Sequence, residues 1–466
     1  MKKYALLPFN FLRIDDKEVL INELGDLIVV PLGTAQMIVE RTLDNDDLYK
    51  SLVANFFISE NPLPKLMEVY ASRLKTKKGF MDDRTALHIF VLTLRCNQNC
   101  TYCQATSREE NAIKCSMTKE MMKNAVRLMF CSPSKHLTME FQGGEPTLEY
   151  DLIKYGIEQA EEININAQRQ ITYVLCTNCR NLSDEMLQLC KKYKIQISTS
   201  LDGLSYIHNQ NRGKTDSYEK TMSGIEKARK VLGNDQVAAL MTTSELSLDY
   251  PKEIVDEYVN DGFKGVFLRA LNPYGLASQN ENWKLYNDRF IKFYKTALDY
   301  IIELNKNGVY FREEYATIIL RKMLTPYSTG FVDLQSPAGI VNSVLIYNYD
   351  GFVYASDESR MLAEKGDYTF RLGKLSDNYV DIVYSEKVRS IGKIWSNETL
   401  AGCSDCPIMA YCGADPIRNH STQGDMYGHR PTSLFCKKNK AIIEHIISLI
   451  AKRETEVLPI FKSWLR

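Results

Sequence analysis

The chain of 466 residues has no net charge, with 58 Lys and Arg set against 58 Asp and Glu. Proteins built to hold nucleic acid carry a basic excess, so this balance excludes the simplest reading of that kind and leaves only local patches. Long apolar runs are also missing: nothing approaches the roughly 18 residues that a membrane span needs. A secretory h-region is absent as well, because Pro8 and Asn10 interrupt the first apolar stretch and Asp15 and Asp16 follow it. The expectation is a cytoplasmic protein with no membrane and no nucleic-acid partner. Cysteine is absent from 191 to 402, yet 12 cysteines stand elsewhere. In a reducing compartment so many thiols point to metal binding or burial rather than to disulfides.

Their spacing separates two groups. Cys96, Cys100 and Cys103 form a CxxxCxxC run, and Cys403, Cys406, Cys412 and Cys436 supply four thiols that begin with CxxC. Four thiolates complete a tetrahedral or cubane site and suit structure or electron transfer. Three thiolates on a 4Fe-4S cluster leave one iron open for a ligand. A zinc site lacking one ligand, or buried packing, remains the alternative for the first group, and zinc is a rival for the second.

From residue 88 onward short apolar strands alternate with amphipathic helices. The pattern predicts strands over His88–Arg95, His136–Gln142, Ile171–Thr177, Lys194–Leu201, Val237–Thr243 and Phe263–Leu271. It predicts helices over about 118–130, 150–167, 183–192, 218–231, 251–260 and 282–305, with Thr118 and Ser183 opening two of them. Six βα units in series require parallel strands and right-handed crossovers, hence an open or closed α/β barrel of fewer than eight units. Reactive groups in such folds gather at the carboxyl ends of strands. The CxxxCxxC loop, Gly143-Gly144-Glu145-Pro146, Thr177-Asn178, Ser200 with Asp202-Gly203, and Asn272-Pro273 all follow predicted strands, so they are expected at one site. Alone, the GGEP segment reads as a turn whose glycines supply positive φ, and its coincidence with the cysteine loop reverses that reading.

Together these residues resemble the radical S-adenosylmethionine (SAM) enzymes. The likeness covers about residues 88–305: CxxxCxxC with Tyr102 before its last cysteine, the GGEP loop, and Ser200-Leu201-Asp202-Gly203 followed by His208 and Arg212. The C-terminal thiols resemble the SPASM domain of peptide-modifying members. The resemblance implies that Cys96, Cys100 and Cys103 hold a 4Fe-4S cluster whose open iron binds S-adenosylmethionine. It implies that Gly143, Gly144, Glu145 and Pro146 accept the ligand's ammonium, that Ser200 and Arg212 hold its carboxylate, that Tyr102 lies near the adenine, and that Asn178 belongs to the same pocket. The chemistry of those types agrees, since an ammonium needs acceptors and a carboxylate suits a guanidinium fork. Cleavage of the bound sulfonium would give a 5′-deoxyadenosyl radical, with an external electron donor such as a flavodoxin or ferredoxin.

The SPASM likeness is partial. Ser336, Ser356 and Pro416 stand where ligand cysteines of a second auxiliary cluster are expected, so the resemblance implies a single auxiliary 4Fe-4S cluster on Cys403, Cys406, Cys412 and Cys436. Asp357 falls where sulfatase-maturing relatives place a carboxylate proposed as general base, although an Asp in a turn or N-cap reads as well. Residues 1–32 read as short strands and the stretch to 75 as helices. The result is a small α+β module that resembles, weakly, a winged-helix element able to add a leader peptide to a sheet edge. The expected organisation is a peptide-recognition-like module over 1–85, a partial (β/α)6 radical SAM barrel over 86–310, and a SPASM-like domain over 311–466. The Cys412–Pro416 and Gly428–Ser433 stretches most resemble maturases of the His-Xaa-Ser peptide system, which implies a precursor peptide with a leader as substrate and an oxidative side-chain change or cross-link as product. A sulfatase-type formylglycine maturase is the alternative within enzymes, and a zinc-stapled binding protein is the alternative outside them.

Overall fold

The computed structural model describes residues 3–61 and 63–466. Strands are β1 Ala5–Leu6, β2 Phe9–Ile14, β3 Lys17–Asn22, β4 Leu27–Pro31, β5 Ile58–Ser59, β6 Leu87–Thr93, β7 His136–Gly143, β8 Gln170–Thr177, β9 Gln196–Ser200, β10 Val237–Thr243, β11 Gly265–Ala270, β12 Arg312–Glu313, β13 Val344–Asn348, β14 Phe352–Tyr354 and β15 Arg371–Lys374. The six predicted barrel strands are β6 to β11. Their ends differ from the expectation by a residue or two.

β6 to β11 lie side by side in chain order and pair in parallel, as right-handed βα units require. On β7 the residues Leu137, Met139 and Phe141 are buried against the helical layer, while Thr138, Glu140 and Gln142 occupy the opposite face. β6 reads LHIFVLT and is buried along nearly its whole length, the pattern of a parallel strand covered on both sides. Helix starts follow local chemistry: Thr118 Oγ1 accepts from Met121 N at 3.2 Å and Ser183 Oγ from Met186 N at 3.1 Å.

The sheet does not stop at six strands. Its full order is β12-β11-β10-β9-β8-β7-β6-β13-β14-β15, so the segment after residue 310 contributes to both ends. β13 pairs with β6 in parallel, Ile346 opposite Ile89, and β14 and β15 continue antiparallel. One hydrophobic core runs from Phe90 and Phe141 through Leu345 and Tyr347 to Ile443 and Ile446 of the terminal helix Leu434–Trp464. The N-terminal module is an antiparallel β2-β3-β4 sheet, with β2 and β4 as its edges, a β1-β5 pair, and helices Thr34–Glu40, Asp46–Ala54 and Leu63–Lys77. It has its own core of Tyr4, Leu20, Ile38, Leu52 and Phe57, while Tyr411 Oη donates to Gly25 O at 3.0 Å and ties it to the C-terminal part. No helix among the described residues is long and apolar enough to cross a membrane.

Candidate active site

The cysteine loop leaves the carboxyl end of β6 and is clamped by backbone hydrogen bonds. Cys96 N donates to Arg108 O at 2.9 Å, Arg108 N to Leu94 O at 2.7 Å, and Thr101 N to Asn211 O at 2.8 Å. Gly144 N and Glu145 N donate to Thr93 O and Arg95 O, both at 2.7 Å, so the GGEP loop lies directly against the cysteine loop. The positive-φ reading of these glycines does not hold: neither Gly143 nor Gly144 has a positive φ. Close approach is what demands them, since a Cβ on Gly143 would stand 2.3 Å from Thr93 O, and one on Gly144 2.3 Å from Arg95 O and 2.5 Å from Leu94 O. Gly144→Ala is therefore expected to push the two loops apart and cost about 1–3 kcal/mol of stability by overpacking, with a matching loss of iron on reconstitution, both measurable by denaturant titration and iron assay.

Arg212 is no surface residue. It ends the helix Ser205–Arg212, is 7 % exposed, and forms a bidentate pair with the fully buried Asp202, Nε at 2.9 Å and Nη2 at 2.8 Å. Tyr102, predicted beside an adenine, donates its hydroxyl to the same carboxylate at 2.6 Å, and the guanidinium lies 5.4 Å from its ring centre. The remaining nitrogen, Nη1, stands 3.8 Å from Cys100 Sγ, so the ion pair reaches the thiol loop. Burial is the largest influence and pushes Asp202 upward, but the Arg212 guanidinium, His208 and the hydrogen bonds from Arg212 and Tyr102 together hold the carboxyl below its usual value. His208 continues the support: its Nδ1 accepts from Asp202 N at 3.2 Å and its Nε2 meets Ser217 Oγ at 3.1 Å, which in turn accepts from Gln98 of the cysteine loop at 2.7 Å. Burial lowers His208 to about 4, so it stays neutral and holds one tautomer.

The Glu145 side chain is used inside the protein. Its carboxylate accepts from Thr147 N at 3.0 Å, Thr147 Oγ1 at 2.6 Å, Thr177 Oγ1 at 2.7 Å and Asn178 N at 2.8 Å, which fastens the GGEP loop to the end of β8. Pro146 opens the short turn of helix that follows. Asn178 Nδ2 donates to Asn97 Oδ1 at 2.7 Å and so reaches the cysteine loop from the other side. Ser200 ends β9, paired with Leu240 of β10. These strand ends surround the thiol loop as the sequence pattern requires.

Burial pushes Cys96 up to about 12 and Cys100 upward, with neighbouring thiols adding to both. Such thiols stay protonated unless a cation binds them, as packing thiols and metal ligands both do. In the C-terminal group Cys412 is driven to about 11 by burial, with Cys436 and Cys403 adding, and Cys403 and Cys436 are also raised. Among the described residues no three or more His, Cys, Asp or Glu side chains close on a single ion. Lys322 Nζ donates to Cys412 O at 3.0 Å, and Asn439 Nδ2, itself held by Tyr315 Oη at 2.9 Å, lies 3.9 Å from Cys412 Sγ. These groups would support the cluster from its outer shell.

The three positions expected to have lost ligand cysteines have local work of their own. Ser336 Oγ donates to Glu398 at 2.7 Å, Ser356 caps the helix Asp357–Ala363, and Pro416 is the first residue of the helix Pro416–Gln423. Asp357 is the first residue of its helix and pairs with the buried Arg360 at 2.8 Å. Its charge bears on Glu140 and Cys176, whose thiol donates to Glu140 Oε1 at 3.4 Å inside the barrel. Sequence reasoning missed Asp202 as the anchor of Arg212, and missed Arg360 and Glu140 altogether. Only Asp202, on the strand end before Arg212, carried a local signal.

Residues 90–256 match the model of the radical SAM superfamily. The chain is 26% identical over 337 residues to a cysteine-type anaerobic sulfatase-maturating enzyme of Clostridium perfringens, a span of 67% of this chain and 86% of that one. Its fold is similar to native anSMEcpe with bound AdoMet, with a TM-score of 0.62 at 19% identity over 81% of this chain and 99% of that one. It is also similar to Streptococcus suis SuiB bound to the precursor peptide SuiA, with a TM-score of 0.55 at 13% identity over 93% of this chain and 100% of that one. The chain carries a radical SAM domain and is an enzyme, and that domain implies a 4Fe-4S cluster and S-adenosylmethionine.

Proposed function

We propose that the protein is a radical SAM maturase of a ribosomally made precursor peptide. One observation carries the radical half of this reading: the CxxxCxxC loop is locked between Gly143-Gly144 on one side and the Asp202–Arg212 pair on the other, with Cys100 Sγ 3.8 Å from a guanidinium nitrogen. In this reading Cys96, Cys100 and Cys103 hold the cluster, while backbone carbonyls of Gly143 to Pro146, with Ser200, Asn178, Tyr102 and Arg212, hold S-adenosylmethionine. The bound cofactor supplies a 5′-deoxyadenosyl radical that removes a substrate hydrogen atom. The chain's own residues do the rest: Asp202 orients Arg212, Glu145 fixes the GGEP loop, and the buried sheet keeps water from the radical.

Cys403, Cys406, Cys412 and Cys436 are assigned to one auxiliary 4Fe-4S cluster, a one-electron acceptor, with reduction from an external flavodoxin or ferredoxin. The β2 and β4 edges of the N-terminal sheet are suited to receive a leader peptide as an added strand. The units 1–85, 86–310 and 311–466 then serve recognition, radical generation and electron acceptance. The His-Xaa-Ser precursors are the substrate class that the Gly428–Ser433 segment favours. A formylglycine maturase is the second reading, favoured by the likeness to the Clostridium enzyme, and it needs Asp357 as base. Incubation of the anaerobically reconstituted enzyme with a synthetic His-Xaa-Ser repeat peptide and with a Cys-containing sulfatase peptide separates them: loss of two hydrogens from the first supports the proposal, and a formylglycine mass change in the second alone overturns it.

A further inference from the structure

A small cavity of about 30 Å³ lies where the carboxyl end of β11 meets the C-terminal part of the chain. That volume is room for about two waters. Six charged side chains line it: Arg269 from β11, Asp333, Glu358, Asp415, Arg418 and Lys438. Among the described residues no ion pair joins any two of these side chains. Arg418 Nη1 goes instead to Asn272 at 2.8 Å, Glu358 accepts from Ser356 Oγ at 2.8 Å, and Asp415 accepts the Arg418 backbone N–H at 2.9 Å as a helix cap. Tyr274 also lines the cavity; it is 2 % exposed, and its hydroxyl has Ser421 as its polar neighbour. Balanced charges held apart, with a buried hydroxyl and space for water, suit the handling of a proton rather than the binding of an ion of one sign.

Asp357 differs from its neighbour. It is committed to Arg360, whose side chain is 1 % exposed and already has one nitrogen, Nη1, unpartnered. Protonating Asp357 would strand a buried guanidinium. Glu358, one residue on, has no cation in contact. Resting on the function proposed above, we propose that Glu358, and not Asp357, accepts the proton that the peptide substrate releases on oxidation, with the cavity water and Tyr274 as its relay.

The step balances. Once the 5′-deoxyadenosyl radical has taken a hydrogen atom, the substrate radical must lose one electron and one proton. X bonds to the radical carbon as the X–H bond breaks, its proton forms the O–H bond of Glu358, and the electron passes to a one-electron iron–sulfur acceptor. Desolvation in the cavity raises Glu358 to about 7, and Asp333, Asp357 and Asp415 add to the rise while Arg269 opposes it. Asp415, raised to about 6 by desolvation, sits on the same cavity, with Arg418 and Lys438 facing it. A carboxyl raised in this way is ionised and able to accept above about pH 7, and is protonated and idle below it.

The test uses the full reconstituted chain, S-adenosylmethionine, reductant and a synthetic His-Xaa-Ser repeat peptide. Peptide oxidation is expected to fall about tenfold per pH unit below pH 7. Glu358→Gln is expected to lose oxidation by about 100-fold, the scale of one proton-transfer group, while still forming 5′-deoxyadenosine; Asp357→Asn, assayed below a Tm lowered by the stranded Arg360 guanidinium, should stay within a few-fold. Because the charge of Glu358 is disfavoured in the folded state, its removal should not lower Tm at pH 8. Difference infrared spectra of the chain without peptide give a second readout: the carboxylic C=O band titrating near pH 7, which Glu313 shares, loses one carboxyl's intensity in Glu358→Gln and keeps that intensity, moved to lower pH, in Asp357→Asn. Absence of 5′-deoxyadenosine from every variant would defeat the functional reading alone, and the infrared band would then decide. A band unchanged in Glu358→Gln, or oxidation lost in Asp357→Asn and kept in Glu358→Gln, overturns the inference.

Discussion

The variant Cys96→Ala/Cys100→Ala/Cys103→Ala is expected to bind about four of the roughly eight irons that two cubanes hold and to form no 5′-deoxyadenosine. The three thiols leave one short loop, and nothing else at the site offers a substitute ligand: Ser107 lies 3.3 Å from Cys103, but its neutral hydroxyl is a poor iron ligand beside a thiolate. The fold should survive. The loop is bonded through its backbone to Leu94, Arg108, Asn211 and Arg212, and those bonds do not depend on sulfur. Burial disfavours the charged form of Cys96 and Cys100, so removing those two thiols leaves no stranded charge. The converse variant, with Cys403 and Cys436 replaced, should also lose about four irons but keep S-adenosylmethionine cleavage, because its thiols lie on the C-terminal segment and not on the β6 loop.

Arg212→Ala should cost about 3–5 kcal/mol of stability, the scale for removing one partner of a buried ion pair. Asp202 is fully buried and takes two hydrogen bonds from Arg212, one from Tyr102 at 2.6 Å, and longer ones from Asn211 and Thr242. With the guanidinium gone, desolvation is the largest remaining influence on that carboxyl, so its pKa rises above the usual range. In the native protein the opposite holds: the lowered pKa contributes stability above the unfolded value, lost only as pH falls through the folded one. The deficit of Arg212→Ala should therefore be largest at neutral pH and shrink as the solution becomes acidic. Denaturant titration at pH 5 and pH 8 checks this, and the double variant Asp202→Asn/Arg212→Leu should recover part of the loss because neither charge is left alone.

Local chemistry made much of this legible in the chain. β6 to β11 and the helices between them follow hydrophobic runs, cap residues and spacing that belong to each segment alone, so they emerged close to their observed ends. The thiol loop and the GGEP loop were legible for the same reason, although the need for Gly143 and Gly144 came from backbone crowding and not from dihedral freedom. What the pattern concealed was long-range. β13 joins β6 across most of the chain, and its five buried residues read no differently from any apolar stretch. Asp333, Glu358 and Asp415 look like turn and cap residues in sequence; only the packing of three separate segments on β11 brings them to one cavity. Asp202 and Arg212 meet because the eight-residue helix Ser205–Arg212 turns the chain back on itself, a segment that the helical pattern did not reveal.

The central claim is that this chain makes a 5′-deoxyadenosyl radical and spends it on a peptide. Mass spectrometry of a synthetic His-Xaa-Ser repeat peptide, after anaerobic turnover with S-adenosylmethionine in deuterated and ordinary buffer, tests it most directly. The account predicts a peptide lighter by two hydrogens and one 5′-deoxyadenosine for each modified peptide. A chain that binds zinc in place of iron, forms no 5′-deoxyadenosine and leaves the peptide mass unchanged would contradict it.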